Sequence, residues 1–310
     1  MAITGTGTEL DPFIVHSYDE LKYACEQHGS TIERYYTKLG ADIDCNEYGS
    51  DWEWQTIVLG SNSSGANKNN SVDFLDPDGV TQHVIKNVYV KNGNKLFDSD
   101  NISHAEVKNG KILNVFGANP TNFATSVHLD NMSISLQFGT PNAAVFSGCK
   151  ITNCAIYAIV VNSTTYHLIT YSGSGTNIKN LDLYCEIGGI TGNFAIFYSP
   201  SSSAYVDSVR VSGKLSAVGS SAPVVASQRM ANSVVNIDML GVLAEGLVGN
   251  EAIISGTGNN TTVVNTSLLQ TANPSYSYLA GTNNLQATAE QIRKGADLRS
   301  LGFVVVNVEE

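Results

Sequence analysis

Four short segments keep apolar residues at matching places: IKNLDLYCEI from position 178, VDSVRVSGKL from 206, VVNIDMLGVL from 234 and TVVNTSLLQT from 262. Each begins 28 residues after the one before. Three trios align across the first three segments: Leu181, Val209 and Ile237; Leu183, Val211 and Met239; Ile187, Leu215 and Leu243. KITNCAIYAI, one step back at 150, fits more loosely, and the fourth segment keeps part of the pattern. Apolar and polar residues alternate within each segment, the period of a strand with one buried face. Recurrence at a fixed step with Gly, Ser and Asn turns between predicts one coil of a parallel β-solenoid per period. HVIKNVYV (83–90), AEVKNGKI (105–112) and VHLDNMSISL (127–136) read as shorter, less regular coils.

The two ends carry a different period. In SYDELKYACEQH (17–28), Leu21, Ala24 and Cys25 lie at helical spacing, Ser17 is placed to cap and Glu20 follows three residues on. This predicts a short amphipathic helix that closes the first strand edges. Thr288 and Gln291 make a similar pattern before a C-terminal helical turn and the strand FVVVNVEE. The expected organisation is an N-terminal cap and first rung over 1–60, a β-helix body over 61–275 and a C-terminal cap or attachment segment over 276–310.

Composition narrows the function. Charged residues are 15% of 310 and the formal net charge is −11, which argues against gripping nucleic acid or an anionic lipid surface. The longest apolar run, AIYAIVV at 155–161, suits a buried strand and is too short to span a membrane. MAITGTGTELDPF lacks the basic start and apolar core of a Sec signal. Five cysteines, with no CxxC or Cys/His ligand spacing, read as buried thiols in a reducing compartment. No cofactor or metal is expected, and the Gly-rich pieces GTGTE and SGSGTN lack the context of nucleotide loops.

Three groups of residues offer chemistry. On successive repeats the outward position reads Asp182, Arg210, Asp238, a column that either neutralises itself across strands or, in an enzyme, supplies an acid pair and an arginine. Asp42 and Asp44, just ahead of Trp52 and Trp54, read as outward acids bonding turn amides and as a roof over the core end, with a sugar platform as the other reading. Tyr166 and Tyr171, in the loop NSTTYHLITYSGSG, are the candidates for stacking on sugar rings.

The segments GTGTELDPFIVHSYDELKYA, YYTKLGADIDCN, WEWQTI, VDFLDPDGV and IKNVYVKNGNKLF, in this order over roughly residues 5–97, resemble the N-terminal rungs of phage- and prophage-encoded β-helix proteins. These are of the pectate-lyase-like class, including members with GLUG-type adhesin repeats. DLRSLGF near the end looks similar to the ends of prophage β-helix proteins. DPDGVTQH (76–83) departs from the family's glycine-rich turn, and the 28-residue repeat has no counterpart in the GLUG repeat. The resemblance implies a right-handed parallel β-helix and a non-enzymatic virion protein: a fibre, an appendage, or a capsid or tail decoration adhering to host-surface glycans. It would be made in the host cytoplasm, with other virion proteins and further copies of itself, as a homotrimer, for partners. The competing expectation is a polysaccharide lyase or glycoside hydrolase using Asp182, Arg210 and Asp238, since the fold class hosts both.

Overall fold

The computed structural model describes residues 3–26, 34–61, 68–141, 143–162, 167–170, 177–190, 196–198, 205–220, 226–227, 234–247, 254–255, 262–263, 270–271 and 279–280. The expected C-terminal cap falls almost wholly outside them.

The chain opens with β1 (Phe13–Val15) and α1 (Tyr18–Glu26). Ser17 Oγ accepts the Glu20 amide at 3.2 Å, and the Glu20 carboxylate reaches back to the His16 amide at 2.9 Å. This capping places Tyr18, Leu21, Ala24 and Cys25 on one buried stripe. There follow β2 (Tyr35–Leu39), β3 (Ile43–Asp44), β4 (Ile57–Ser61), β5 (Lys68–Asp73), β6 (Val84–Tyr89) and β7 (Phe97–Ser99). Long and short strands then alternate: β8 (Ala105–Gly117), β9 (Ala124–Thr125), β10 (His128–Phe138), β11 (Phe146–Ser147), β12 (Lys150–Val160), β13 (Ile169–Thr170), β14 (Asn177–Ile190), β15 (Phe197–Tyr198), β16 (Tyr205–Ser220), β17 (Ala226–Ser227) and β18 (Val234–Leu247). The last described strands are β19 (Ile254–Ser255), β20 (Thr262–Val263), β21 (Gln270–Thr271) and β22 (Leu279–Ala280).

From β8 onward the long strands pair in parallel, each with the next long strand. The short strands form their own parallel ladder, where Phe97, Ala124, Phe146, Ile169 and Phe197 align in turn. Both ladders turn their apolar side chains into one core. The long strands bend without breaking at left-handed residues: Asn109, Asn131, Asn153, Asn180 and Ser208 have φ between 52° and 60°. Asn tolerates this conformation because its short amide bonds locally.

The expectation of a right-handed parallel β-helix with pectate-lyase-like fold is corrected here. The described strands make one large mixed sheet of 22 strands, strongly curled into a half-barrel, with one short helix. The mixing lies in the first part of the chain: β4 and β5 run antiparallel through Gly60↔Asn69 and Ser61↔Lys68, and antiparallel bridges join Thr4 to Ile14 and Leu75 to Gln82. The turn Asp76–Thr81 closes on itself, its Asp78 carboxylate accepting the Val80 and Thr81 amides. The 28-residue step is real between β14 and β16, where Leu181 faces Val209 and Leu183 faces Val211. It slips in β18, where Leu215 faces Ala244 and Leu243 faces Lys214.

The acids and tryptophans near the start are structural. Asp44 accepts the Asn46 amide at 3.1 Å and the Asn87 side chain at 2.8 Å and pairs with Lys86, and these bonds, Asn87 foremost, lower its pKa. Asp42 accepts the Val84 amide and faces His83, whose other ring nitrogen faces Asp76. Trp54 is fully buried, donates its indole N–H to Leu96 O at 3.1 Å and packs edge-on against Tyr18 and Phe97. Trp52 stacks on Tyr48. Trp54 therefore offers no face to a sugar, and Trp52 is partly buried against the core.

Candidate functional site

Parallel pairing brings equivalent outward residues of successive strands to about 4.8 Å from one another. Beyond the left-handed bends, one such column reads Lys111, Ser133, Ala155, Asp182, Arg210, followed by the backbone of Asp238. The three residues singled out from the sequence are thus juxtaposed. Asp182 and Arg210 are both exposed, and among the described residues neither makes an ion pair or side-chain hydrogen bond. The expected self-neutralisation between these two is not what the structure contains. The Asp238 side chain, and the whole of Tyr166 and Tyr171, lie outside the described residues.

Asp182 and Arg210 line an open groove of about 900 Å³. Its floor is the row of bent residues Asn131, Asn153, Asn180 and Ser208. Neighbouring amides bond along the row: Asn131 Nδ2 donates to Asn109 Oδ1 at 3.1 Å, and Asn180 Nδ2 to Asn153 Oδ1 at 2.9 Å. Asn153 in turn donates to Asp130 at 2.9 Å. An Asn side chain has two donor hydrogens and two acceptor lone pairs, so each keeps capacity for a ligand in the groove. Asp182 is the sole carboxylate among the described residues lining it, whereas glycoside hydrolysis uses two.

Two residues beyond Ala155 on the same face, Tyr157 stacks on Tyr184 with ring centres 4.7 Å apart and planes 2° from parallel. Tyr157 is 43% exposed. The Tyr184 hydroxyl donates to Glu186 at 2.5 Å, which raises its pKa to about 12. Phe116 and Tyr89, also exposed, sit side by side on β8 and β6.

Sequence reasoning missed the asparagine row and the tyrosine pair. The row had a visible sign: an Asn placed directly before the returning alternation in VKNGKI, LDNMSI, ITNCAI and IKNLDL. The tyrosines stand 27 residues apart, outside the 28-residue template.

No family model matches this chain, and no curated protein matches it. The resemblance of residues 5–97 to phage β-helix proteins with GLUG-type rungs is overturned by the fold, since it falls on the stretch where the sheet is mixed. Among solved structures, the chain is similar to one titled a "putative immunoglobulin A1 protease" from Bacteroides ovatus, at 17% identity and a TM-score of 0.42 over 92% of this chain and 83% of that one. A likeness at that level carries no argument about what this protein does.

Proposed function

We propose that this chain is a non-enzymatic structural protein that presents the outer face of its long strands to a glycan. The observation that carries the reading is the continuous surface formed by the asparagine-floored groove and the adjoining Tyr157–Tyr184 stack. Amide and hydroxyl groups match sugar hydroxyls, and an aromatic face matches the apolar face of a sugar ring. The setting we propose is a phage particle, as fibre, appendage or decoration. Cys45, Cys149, Cys154 and Cys185 are buried free thiols, which suits assembly in a reducing cytoplasm.

The test is gel retardation of the whole protein in a panel of bacterial surface polysaccharides, with released reducing ends read in parallel. Retardation without cleavage is the expected result, and Tyr157→Ala should weaken it by about 5–10-fold, the worth of roughly 1 kcal/mol of aromatic contact. Absence of retardation on every polymer overturns the glycan reading. A depolymerase is the second reading, supported by the Asp182–Arg210 juxtaposition in the groove. It requires polymer cleavage that Asp182→Ala abolishes.

A further inference from the structure

Before the left-handed bends, the same strands carry another outward column: Ser71, Glu106, His128 and Lys150 align across β5, β8, β10 and β12. With Arg34 and Ser103, the last three line a pocket of about 350 Å³. The one carboxylate among the described residues lining it is already engaged. Glu106 accepts Ser71 Oγ at 2.8 Å and Lys108 Nζ at 2.9 Å, and faces Arg34 at 3.8 Å and His128 Nδ1 at 3.4 Å. These donors, His128 foremost, hold its carboxyl far below the usual carboxylate range.

The bonds beyond His128 fix its role. His128 Nε2 lies 3.0 Å from Thr152 Oγ1, and the Thr152 hydroxyl reaches Asp130 Oδ1 at 2.5 Å. A hydroxyl has one proton. With that proton given to Asp130, Thr152 offers His128 Nε2 an acceptor, and with Glu106 facing Nδ1 the ring is held between the two. Arg34 is held at the mouth by Asn69 Oδ1 at 2.9 Å and Ser103 O at 2.7 Å. The Lys150 ammonium has no hydrogen-bond or ion-pair partner among the described residues. Arg34 and Lys150 thus face a cavity whose one carboxylate among the described residues is matched several times over, in a chain of net charge −11.

We propose that this pocket is a second binding site, for one oxyanion of the carboxylate or sulfate class, with Lys150 as its principal ligand, Arg34 beside it and His128 on its wall. Lys150 stands three residues before Asn153 of the groove on the same strand, about 10 Å away along it. An acidic sugar of a polymer lying in the groove can therefore reach the pocket. That identification of the anion's carrier rests on the glycan reading above; the pocket itself does not.

The experiment is calorimetric titration of the whole protein at low ionic strength with inorganic sulfate, polygalacturonate and neutral dextran. Variants Lys150→Gln, Lys150→Arg and Tyr157→Ala are run alongside, after checking that each melts like the parent. Sulfate and polygalacturonate should bind, Lys150→Gln should weaken both about tenfold, and Lys150→Arg should retain both. Tyr157→Ala should weaken polygalacturonate and leave sulfate unchanged. Equal sulfate binding by parent and Lys150→Gln, or none by the parent, overturns the pocket. Sulfate binding that depends on Lys150, with no polymer bound, keeps the pocket as a small-anion site and overturns the glycan face. Dextran binding as tight as polygalacturonate binding, and insensitive to Lys150→Gln, keeps the face and overturns the pocket's part in it.

Discussion

The first hundred residues and the long-stranded region after them fill the same kind of space by different means. The first part is held by contacts that occur once: Tyr18, Trp52, Trp54 and Phe97 interlock around the end of the core. Buried Asn70 there donates to Cys25 O at 3.1 Å and to Leu59 O at 2.6 Å, tying α1 and β4 to β5. The later part is held by contacts that recur, with Ile134, Ile156, Leu183 and Val211 following one another in register. A unique contact has no neighbour to share its loss, whereas a repeated one has a like contact on either side. The lesson is that stability here is local, and that the two parts should respond differently to truncation.

The sharpest test is Trp54→Ala, which removes a fully buried indole and its hydrogen bond. It should cost about 3–5 kcal/mol in urea denaturation. Leu183→Ala in the repeated part should cost somewhat less, about 2–4 kcal/mol, because aliphatic neighbours on two sides close on the gap. If the two losses come out reversed, the contrast between unique and repeated contacts fails.

An intermediate effect is expected on acidification. The folded-state pKa of Glu106 is depressed, so the stability it contributes is fully present above the unfolded carboxylate value of about 4.3 and drains away as pH falls below it. Melting temperatures followed from pH 7 downward should drop less steeply for Glu106→Gln than for the parent. Identical slopes would mean that the four donors around Glu106 do not bind it as the structure shows.

Smaller still is the cost of changing a bend. Asn153 has φ 55°, so Asn153→Ala should lose about 1–2 kcal/mol, the cost of a left-handed conformation, while Asn153→Gly should lose less because glycine adopts it freely. The smallest effect is that of Asp182→Ala, whose exposed side chain makes no described contact and whose loss should move stability by no more than about 0.5 kcal/mol. A larger change would put Asp182 in the scaffold rather than at the groove surface.

Helix α1 was legible because capping and a 3.6-residue period coincide within a few positions, from Ser17 to Cys25. The column Asp182, Arg210, Asp238 was legible because its strands follow one another at the 28-residue step used to align them. Glu106, His128 and Lys150 were hidden by the same device, since β8, β10 and β12 pair at a step of 22 residues. The mixed pairing near the start leaves no trace in sequence, because a two-residue antiparallel contact such as Gly60↔Asn69 has no period to detect. The slip in β18 was invisible for a related reason: a register shift between Arg210 and Ser212 changes partners without changing the apolar pattern.

The burial of every thiol gives the molecule a built-in gauge of its own opening. Removal from water pushes Cys45, Cys149, Cys154 and Cys185 up to about 12, far from the thiolate that reacts with alkylating reagents. A maleimide added to the native protein should therefore stay unconsumed, and each alkylated cysteine found by peptide mass would report that its own segment had come away from the core. Cys45 opens a short 3-10 turn after β3 and Cys185 lies in β14, so the order in which they label would show which part lets go first.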